Sequence, residues 1–191
     1  MRHLIYFSKS AHTSGNFDDL MKAGRMDIAI HSFIQGVFLS HDFRKDVKFH
    51  FVFYGMPDPP KHIEIQVNDD LEISKKDVAK LIKKILYKFK EGQKTEVLSG
   101  CFVEKKSFLK VIEELKNKGS EIFILEKKGD DIRKVEIKNN CVFVLGDHEG
   151  LPKKELRRLK SIAKTVSIGN KTYFASQTVA VVNNELDRRG I

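Results

Sequence analysis

The sequence predicts a single α/β domain built around a largely parallel β-sheet. Segments with strand patterns alternate along the chain with segments of helical periodicity, which is typical of such domains. The run at 141–145 (CVFVL) is continuously apolar and β-branched or aromatic, as in a strand buried on both faces. With 191 residues, 41% of them hydrophobic, the chain can form one sizeable core, and no repeat or linker divides it.

The N-terminal half shows three strand patterns and several helix patterns. The strand patterns cover 2–8, 47–54 and 63–67, and the last two could pair as a hairpin. The helix patterns are a short one over 18–23, one from Asp27 to about Leu39, and an amphipathic one that begins at Ser74 and ends before Gly92. We expect Asp27 and Ser74 to be the N-caps of their helices, because short polar side chains accept hydrogen bonds from the first free amides.

The C-terminal half continues the alternation. A helix is predicted over 107–118, with Gly119 closing it. Strands are predicted at 121–125, 132–137, 141–145 and 164–168, with turns at 128–131 and 169–170. Pro152 suits the first turn of a helix, and 176–189 is predicted to be the last helix.

The net charge of +9 is concentrated in two segments. Residues 74–94 hold eight basic and two acidic residues, and residues 152–171 hold seven basic residues and one acidic residue. Such zones are typical of a polyanion-binding face, and a solvated lysine-rich surface is the alternative.

The sequence argues against a membrane protein, a secreted protein and a metal-binding protein. No apolar run reaches the length of about 20 residues that spans a bilayer, and the first ten residues lack a signal-peptide layout. Cys101 and Cys141 are far apart and the seven histidines are scattered, so we expect no metal site. Two isolated cysteines fit a reducing cytoplasm.

Two segments could carry chemistry. In CVFVLGDHEGLP, glycines follow a buried strand, and glycines let the backbone come close to a ligand. The N-terminus of the next helix follows, and helix N-termini favour anions. The spacing matches neither a Walker loop nor a dinucleotide fingerprint, and a tight structural turn is the alternative. The second segment, SIGNKTYFASQTVAVVNNELDR, joins a strand end to a helix with an apolar face.

Together with the N-terminal FSKSAHTSGNFDDLMKAGRMDIAIHSFIQGVFLSHDFRKDV and the terminal VNNELDRRG, these segments resemble the TrmY family of archaeal tRNA pseudouridine N1-methyltransferases, within the SPOUT superfamily. The resemblance extends along nearly the whole chain. It implies a SPOUT-type sheet with helices on both faces and a deep C-terminal trefoil knot. Residues 1–120 would form the elaborated N-terminal part and 121–191 the knotted part.

The resemblance also implies S-adenosylmethionine (SAM) as the cofactor, held largely by backbone groups of three loops. The implied cofactor residues are Leu125, Gly146, Ile168, Gly169, Asn170, Lys171, Thr172, Tyr173 and Thr178. A His-Cys pair is common in the family where this chain has Gln177 and Thr178, so the contact at Thr178 departs from the pattern.

Methylation of pseudouridine requires loss of the proton from its free N1. The candidates for orienting or accepting that proton are Asp147, His148 and Glu149. Arg25 and Asp27, from the N-terminal segment, could bind the base edge or a phosphate. For three of them an ordinary structural role is the alternative: Asp27 as a helix cap, His148 as a surface histidine and Glu149 as a helix N-terminal anion.

The expected partners are tRNA, with the T-loop pseudouridine at position 54 as the target, and a second copy of the chain, bound through the knot and the last helix. Methylation of a pseudouridine in ribosomal RNA is the enzymatic alternative. A non-catalytic RNA-binding or ribosome-assembly module of the same fold is the alternative from another class. No membrane partner is expected.

Overall fold

A computed structural model describes residues 1–191, and its centre is one mixed sheet of eight strands. The strands are β1 (Arg2–Ser8), β2 (Val47–Phe53), β3 (Lys61–Ile65), β4 (Thr95–Leu98), β5 (Cys101–Glu104), β6 (Glu121–Asp131), β7 (Cys141–Gly146) and β8 (Lys164–Ser167). The helices are α1 (Met26–Val37), α2 (Val78–Tyr87), α3 (Phe108–Asn117), α4 (Lys153–Leu159) and α5 (Ala175–Arg188).

The strand order is β4-β5-β3-β2-β1-β7-β6-β8. Strands β2, β1, β7, β6 and β8 run parallel, whereas β3, β5 and β4 add an antiparallel edge. Tyr6 of β1 lies opposite Phe51 on one side and Leu145 on the other. The predicted largely parallel α/β sheet is therefore confirmed, and the five parallel strands end at one edge.

Helices cover both faces of the sheet, as predicted. Because side chains alternate along a strand, Leu4 and Tyr6 of β1 face one core, and Ile5 and Phe7 face the other. The larger core packs α1, α2 and α5 against the sheet, and the smaller core packs α3 and α4. None of the helices is both long and apolar enough to span a membrane.

The short helix predicted over 18–23 is wrong, since these residues form a turn. The carboxylate of Asp19 accepts hydrogen bonds from the amides of Met21 (2.9 Å) and Lys22 (3.2 Å). Gly24 then adopts a φ of 70°. A side chain that satisfies its own nearby amides offers the backbone an alternative to a helix.

Two predicted helix caps are also wrong. Helix α1 begins at Met26 after Arg25, so Asp27 lies inside the first turn and pairs with Arg25. Helix α2 begins at Val78 with Asp77 as its N-cap, and the Ser74 hydroxyl bonds the Asp77 carboxylate rather than a backbone amide. Neither helix has a side chain that caps its first amides.

The segment after β6 differs from the prediction. Residues 128–131, expected to be a turn, continue β6, because Leu125 and Asp130 both pair with Val166 of β8 across a bulge. Residues 132–137, expected to be a strand, form a turn and loop. Ile132 and Ile137 are buried in the larger core. These two side chains hold the two ends of a loop against the core and do not form one face of a strand.

Strand β4 was not predicted. It is four residues long at the edge of the sheet, and none of its residues is fully buried. A short, half-exposed edge strand lacks the apolar alternation by which strands are recognised in a sequence.

Candidate active site

A cavity of about 600 Å³ opens at the edge of the sheet where the parallel strands end. It lies between the loop after β7 and the loop that leads into α5, and its size is typical of a small-molecule site. It is lined by Ile28, Leu125, Glu126, Leu145, Gly146, Asp147, His148, Gly150, Leu151, Leu156, Thr172, Tyr173, Phe174, Ala175, Gln177 and Thr178. A smaller cavity of about 140 Å³ shares several of these residues and extends toward the end of β8.

The structure brings together nearly all of the residues predicted to hold the cofactor. Those that line the larger cavity are Leu125, Gly146, Thr172, Tyr173 and Thr178. Those that line only the smaller one are Ile168, Gly169 and Lys171. Asn170 lines neither cavity and is exposed. The loops therefore converge although β7 and β8 are separated by β6 in the sheet.

The loop after β7 is a tight turn with its backbone facing the cavity. The Gly150 amide donates to the Asp147 carbonyl at 2.9 Å. A Cβ added to Gly146 would lie 2.3 Å from the carbonyl carbon of Gly150, so only glycine fits there. The structural-turn interpretation is thus correct, and the same turn leaves backbone groups accessible to a ligand.

Asp147 is held inside this turn. Its side chain is only 1% exposed. The Ser8 hydroxyl donates to Oδ2 at 2.6 Å, and the Glu149 amide donates to Oδ1 at 2.9 Å. Ser8 Oγ in turn accepts the amide of Ala11 at 3.0 Å, which directs its single proton to Asp147. This carboxylate fixes the loop against β1.

His148 and Glu149 lie on the outer side of the turn. The His148 side chain is 42% exposed and lines the cavity, and its Nδ1 lies 4.0 Å from Asp147 Oδ1. Glu149 is exposed and does not line the cavity. Of the three acidic or basic side chains of this loop, His148 is the one that combines exposure with access to the cavity.

Arg25 and Asp27 form a bidentate pair beside the cavity, with both nitrogen–oxygen distances at 3.0 Å. This hydrogen bonding lowers the pKa of the Asp27 carboxyl and raises the pKa of Arg25. Arg25 has a left-handed backbone (φ 60°), a conformation unusual for a non-glycine residue and common at functional sites. Ile28, in the same first turn of α1, lines the cavity.

Tyr6 lies near both groups and was missed by the sequence-based prediction. Its hydroxyl is buried without a hydrogen-bond partner. Burial raises the pKa of this phenol most, and the carboxylates of Asp147 and Asp27 raise it further. A tyrosine within the apolar alternation of β1 looks like a core residue in the sequence, so only the fold reveals its charged neighbours.

Two other polar residues that line the larger cavity, Glu126 and Gln177, were also missed. Glu126 follows Leu125 and bonds Lys160 at 2.7 Å. Gln177 Oε1 accepts the amide of Phe174 at 3.1 Å, so this residue closes the N-terminus of α5. Its position after a strand-to-helix loop is the sequence signal that could have indicated this capping role.

Helix α4 follows the loop directly and carries unpaired positive charge. Lys153, Lys154, Arg157 and Arg158 have no carboxylate within 4 Å, whereas Lys160 and Lys164 nearby bind Glu126 and Glu121. These four cations are therefore available to bind phosphates.

A second group of buried polar residues does not line this cavity. The histidines His3, His50 and His62 are hydrogen-bonded in a row across β1, β2 and β3, and His62 Nδ1 lies 3.0 Å from Glu104. Ligand atoms of His50, His62 and Glu64 lie within 4.8 Å of one another, a proximity that the sequence did not suggest. Because Glu64 binds Lys48 and Lys94, cations already neutralise its carboxylate.

Comparison with known proteins identifies the family. Residues 1–191 match the sequence model of a family described as "Putative SAM-dependent RNA methyltransferase". The chain is 39% identical to a tRNA (pseudouridine(54)-N(1))-methyltransferase of Pyrococcus abyssi, with all of both chains covered. It is 34% identical to the protein of the same name from Methanococcoides burtonii, over 98% of this chain and 96% of the relative.

A solved structure has the same fold. Archaeoglobus fulgidus Nep1, bound to S-adenosylhomocysteine, superimposes with a TM-score of 0.65 at 13% identity over 98% of both chains. The full-length match to the family and the full-length relatives agree with the resemblance seen in the loops. The chain therefore belongs to this family of SAM-dependent RNA methyltransferases.

Proposed function

We propose that this protein methylates N1 of the pseudouridine at position 54 of tRNA, with SAM as the methyl donor. The observation that carries the proposal is one cavity in which the converging loops meet His148, beside four unpaired cations on α4. Full-length relatives named for this reaction support the choice of nucleoside and position.

The residues around the cavity fit the cofactor. Backbone groups at the ends of β6, β7 and β8 line adjoining cavities, and Gly146 and Gly150 leave no side chain between the backbone and a ligand. Leu125, Gly146 and Thr178 would hold SAM there. When bound, SAM supplies an electrophilic methyl group on a sulfonium.

The chain's own residues would then position the base and remove its proton. N1 of pseudouridine carries a hydrogen because the sugar is attached through carbon, and transfer of a methyl cation to N1 releases that proton. We assign its acceptance to His148, the exposed basic group at the cavity. Asp147 and Ser8 orient the loop, and Arg25, held by Asp27, faces the base edge or a phosphate.

Phosphate binding next to the cavity is assigned to α4. Its four unpaired cations stand on the helix that begins just after the cavity loop, so a nucleotide whose base enters the cavity has its backbone near them. The target base must leave its stack to reach the cavity, and contacts to the flanking phosphates offset that cost.

We further propose that the protein works as a homodimer in the cytoplasm. Phe174 is 76% exposed and Val181 of α5 is 38% exposed, so the last helix presents apolar side chains that a second copy could cover. The two cysteines are free and buried, which suits a reducing compartment.

The C-terminal knot belongs to the same proposal. Strand β8 lies at the sheet edge beside β6, yet α5 returns to pack on α1, and the Arg2 guanidinium at the start of β1 binds the Ile191 carbonyl at 2.6 Å. This return across the sheet supports a chain threaded through its own loops.

Mass spectrometry of nucleosides tests the reaction. The purified protein, SAM and tRNA bearing pseudouridine at position 54 should yield N1-methylpseudouridine, and ribosomal RNA should yield none. The same tRNA with uridine at position 54 is the control, because its N1 is bonded to the sugar. Absence of methyl transfer to the pseudouridine-containing tRNA would overturn the proposal.

A variant tests the role of His148. His148→Gln should lower kcat by about 100-fold, as for loss of a general base, with little change in the Kd for SAM. Glu149→Gln is the matched control on the same loop, and its kcat should stay near that of the wild type. If kcat is the same in the two variants, His148 is not the group that accepts the N1 proton.

A further inference from the structure

We infer that the carboxyl end of α2 and two neighbouring loops form a second RNA-binding surface. This surface binds a part of the substrate RNA that is distant from the reacting base. We call it the α2 edge and define it by Met21, Met56, Lys84, Tyr87, Lys88 and Lys90. This inference rests on the proposed function, since it assigns further contacts to the same RNA.

The α2 edge lies on the same side of the molecule as the cavity. A Cβ added to Gly15, in the loop after β1, would lie 2.5 Å from the Tyr87 ring, so the end of α2 packs directly on that loop. The next loop, after β2, is joined to it by a hydrogen bond from the Thr13 amide to the Met56 carbonyl at 3.1 Å. Both loops follow parallel strands, as the cavity loops do.

Three large apolar side chains of the α2 edge are unusually exposed. Met21 is 62% exposed, Met56 69% and Tyr87 62%. Each comes from a different segment, and all three segments meet around the loop that contains Gly15. An exposed tyrosine among lysines is suited to stack on a nucleobase or ribose.

The ion pairs show which lysines of α2 are free. Lys80 lies 3.6 Å from Asp77 and Lys83 lies 3.3 Å from Asp18, so both charges are partly neutralised. Lys84, Lys88 and Lys90 have no carboxylate within 4 Å and are exposed. Lys84 and Lys88 are one helical turn apart and flank Tyr87, so cations and an aromatic ring share one face.

The arrangement favours an RNA arm over a protein or lipid partner. The α2 edge has as many unpaired lysines as exposed apolar side chains, whereas a partner helix or a membrane needs a mainly apolar face. The loops of the α2 edge follow β1 and β2, one and two strands from β7, so this surface adjoins the sheet edge at which the cavity opens. Helices α4 and α2 pack on opposite faces of the sheet, so their cations reach this edge from its two faces, separated by the thickness of the sheet. A folded stem-loop spans that distance, whereas a single nucleotide does not.

Binding measurements on full-length protein test the inference. In the triple variant Lys84→Gln, Lys88→Gln, Lys90→Gln, the Kd for pseudouridine-containing tRNA should rise about tenfold or more at moderate salt. The slope of log affinity against log salt should become shallower by about 2, since three phosphate contacts are lost. Tyr87→Ala should weaken binding about tenfold without changing the slope, and Tyr87→Phe should bind like the wild type.

A matched variant removes the same charge elsewhere. Lys75, Lys118 and Lys138 are exposed and have no ion-pair partner, and they lie near the starts of α2, β6 and β7. Replacing these three by glutamine should leave both Kd and salt slope within a factor of two of the wild type. If both triple variants weaken RNA binding equally, only net charge matters and the α2 edge has no special role.

The outcome is separable from that of the proposed function. Methyl transfer by the wild-type protein decides the reaction, and the comparison of variants decides the surface. The triple variant should keep its melting temperature, its affinity for SAM and its kcat on a short pseudouridine-containing oligonucleotide that cannot reach α2. Unchanged tRNA affinity and salt slope in that variant, with an active wild type, would overturn the inference.

Discussion

At the scale of single residues, the histidine row illustrates how burial changes chemistry. Each ring is within 3.0 Å of the next along His3, His50 and His62, and the row ends at Glu104. Burial alone raises the pKa of the Glu104 carboxyl, but its carboxylate accepts hydrogen bonds from His62 and from Lys106, and these lower the pKa to about 2. If His62 donates through Nδ1, each neutral ring in the row donates through Nδ1 to the next.

This row predicts a loss of stability in mild acid. Burial, followed by Lys48, lowers the pKa of His3 to about 4, and burial also lowers the pKa of His50. Glu64 raises the pKa of His3, whereas the N-terminus and Lys118 lower it further. The unfolded chain, with histidine pKa values near 6.5, binds more protons between about pH 6.5 and 4, so stability is full above that window and falls within it.

The expected change is measurable by urea unfolding. Between pH 7 and pH 4.5 the free energy of unfolding should fall by about 2 to 3 kcal/mol from His3 alone. In His3→Gln this dependence should be flatter. His41→Gln, at an exposed position, serves as the control and should keep the wild-type pH dependence. If the free energy of unfolding depends on pH in the same way in all three proteins, His3 is not the source of the acid sensitivity.

At the scale of elements, helix ends show the difference between a cap in the sequence and a cap in the structure. Ser107 and Ser74 both precede amphipathic helices and both were expected to begin them. Ser107 caps α3, with its oxygen accepting the Lys110 amide at 3.4 Å. Ser74 lies outside α2 and bonds the Asp77 side chain. The choice depends on where the first turn packs, which a local pattern does not contain.

These two serines give a paired prediction. Ser107→Ala should lower the free energy of unfolding by about 1 kcal/mol, because an amide at the start of α3 loses its acceptor. Ser74→Ala should cost less than about 0.5 kcal/mol, since it removes an exposed contact between side chains. Chemical denaturation of both variants measures the difference, and equal losses would show that the Ser107 cap is not a stabilising one.

At the scale of the whole molecule, Arg2 joins the beginning of the chain to its last helix. The guanidinium is buried and binds Asp46 at 3.0 Å, Asp187 at 2.8 Å and the Ile191 carbonyl. Asn183 of α5 lies 3.5 Å from the same group and donates to the Gly36 carbonyl of α1 at 2.9 Å. The start of β1 and the end of α5 are thereby fixed together across the larger core.

Removal of this link should destabilise the protein markedly. Arg2→Ala leaves two carboxylates and a carbonyl without their shared donor, so we expect a loss of about 2 to 3 kcal/mol, discounted because both carboxylates are partly exposed. Arg133→Ala, which removes an exposed pair with Asp131, should cost less than about 1 kcal/mol. Calorimetric melting temperatures distinguish the two, and similar melting temperatures would refute the role of Arg2.

The α/β class, most strands and the loops of the site follow from local patterns in the sequence. Buried strands such as β1 and β7 have apolar patterns that depend little on context, and glycines after a strand mark places where the backbone must turn sharply. The N-terminal segment and the loop after β7 were also enough to indicate the family. These features are local, so a linear pattern contains them.

Which of those residues act together depends on the three-dimensional fold. It buried Asp147 on Ser8 and left His148 at the cavity. It buried Tyr6 near the carboxylates of Asp147 and Asp27, and it paired Lys80 and Lys83 while leaving Lys84 and Lys88 free. It also joined three distant histidines in one row. Such outcomes depend on which strands become neighbours and on what each side chain meets across the sheet, and those contacts join residues far apart in the chain.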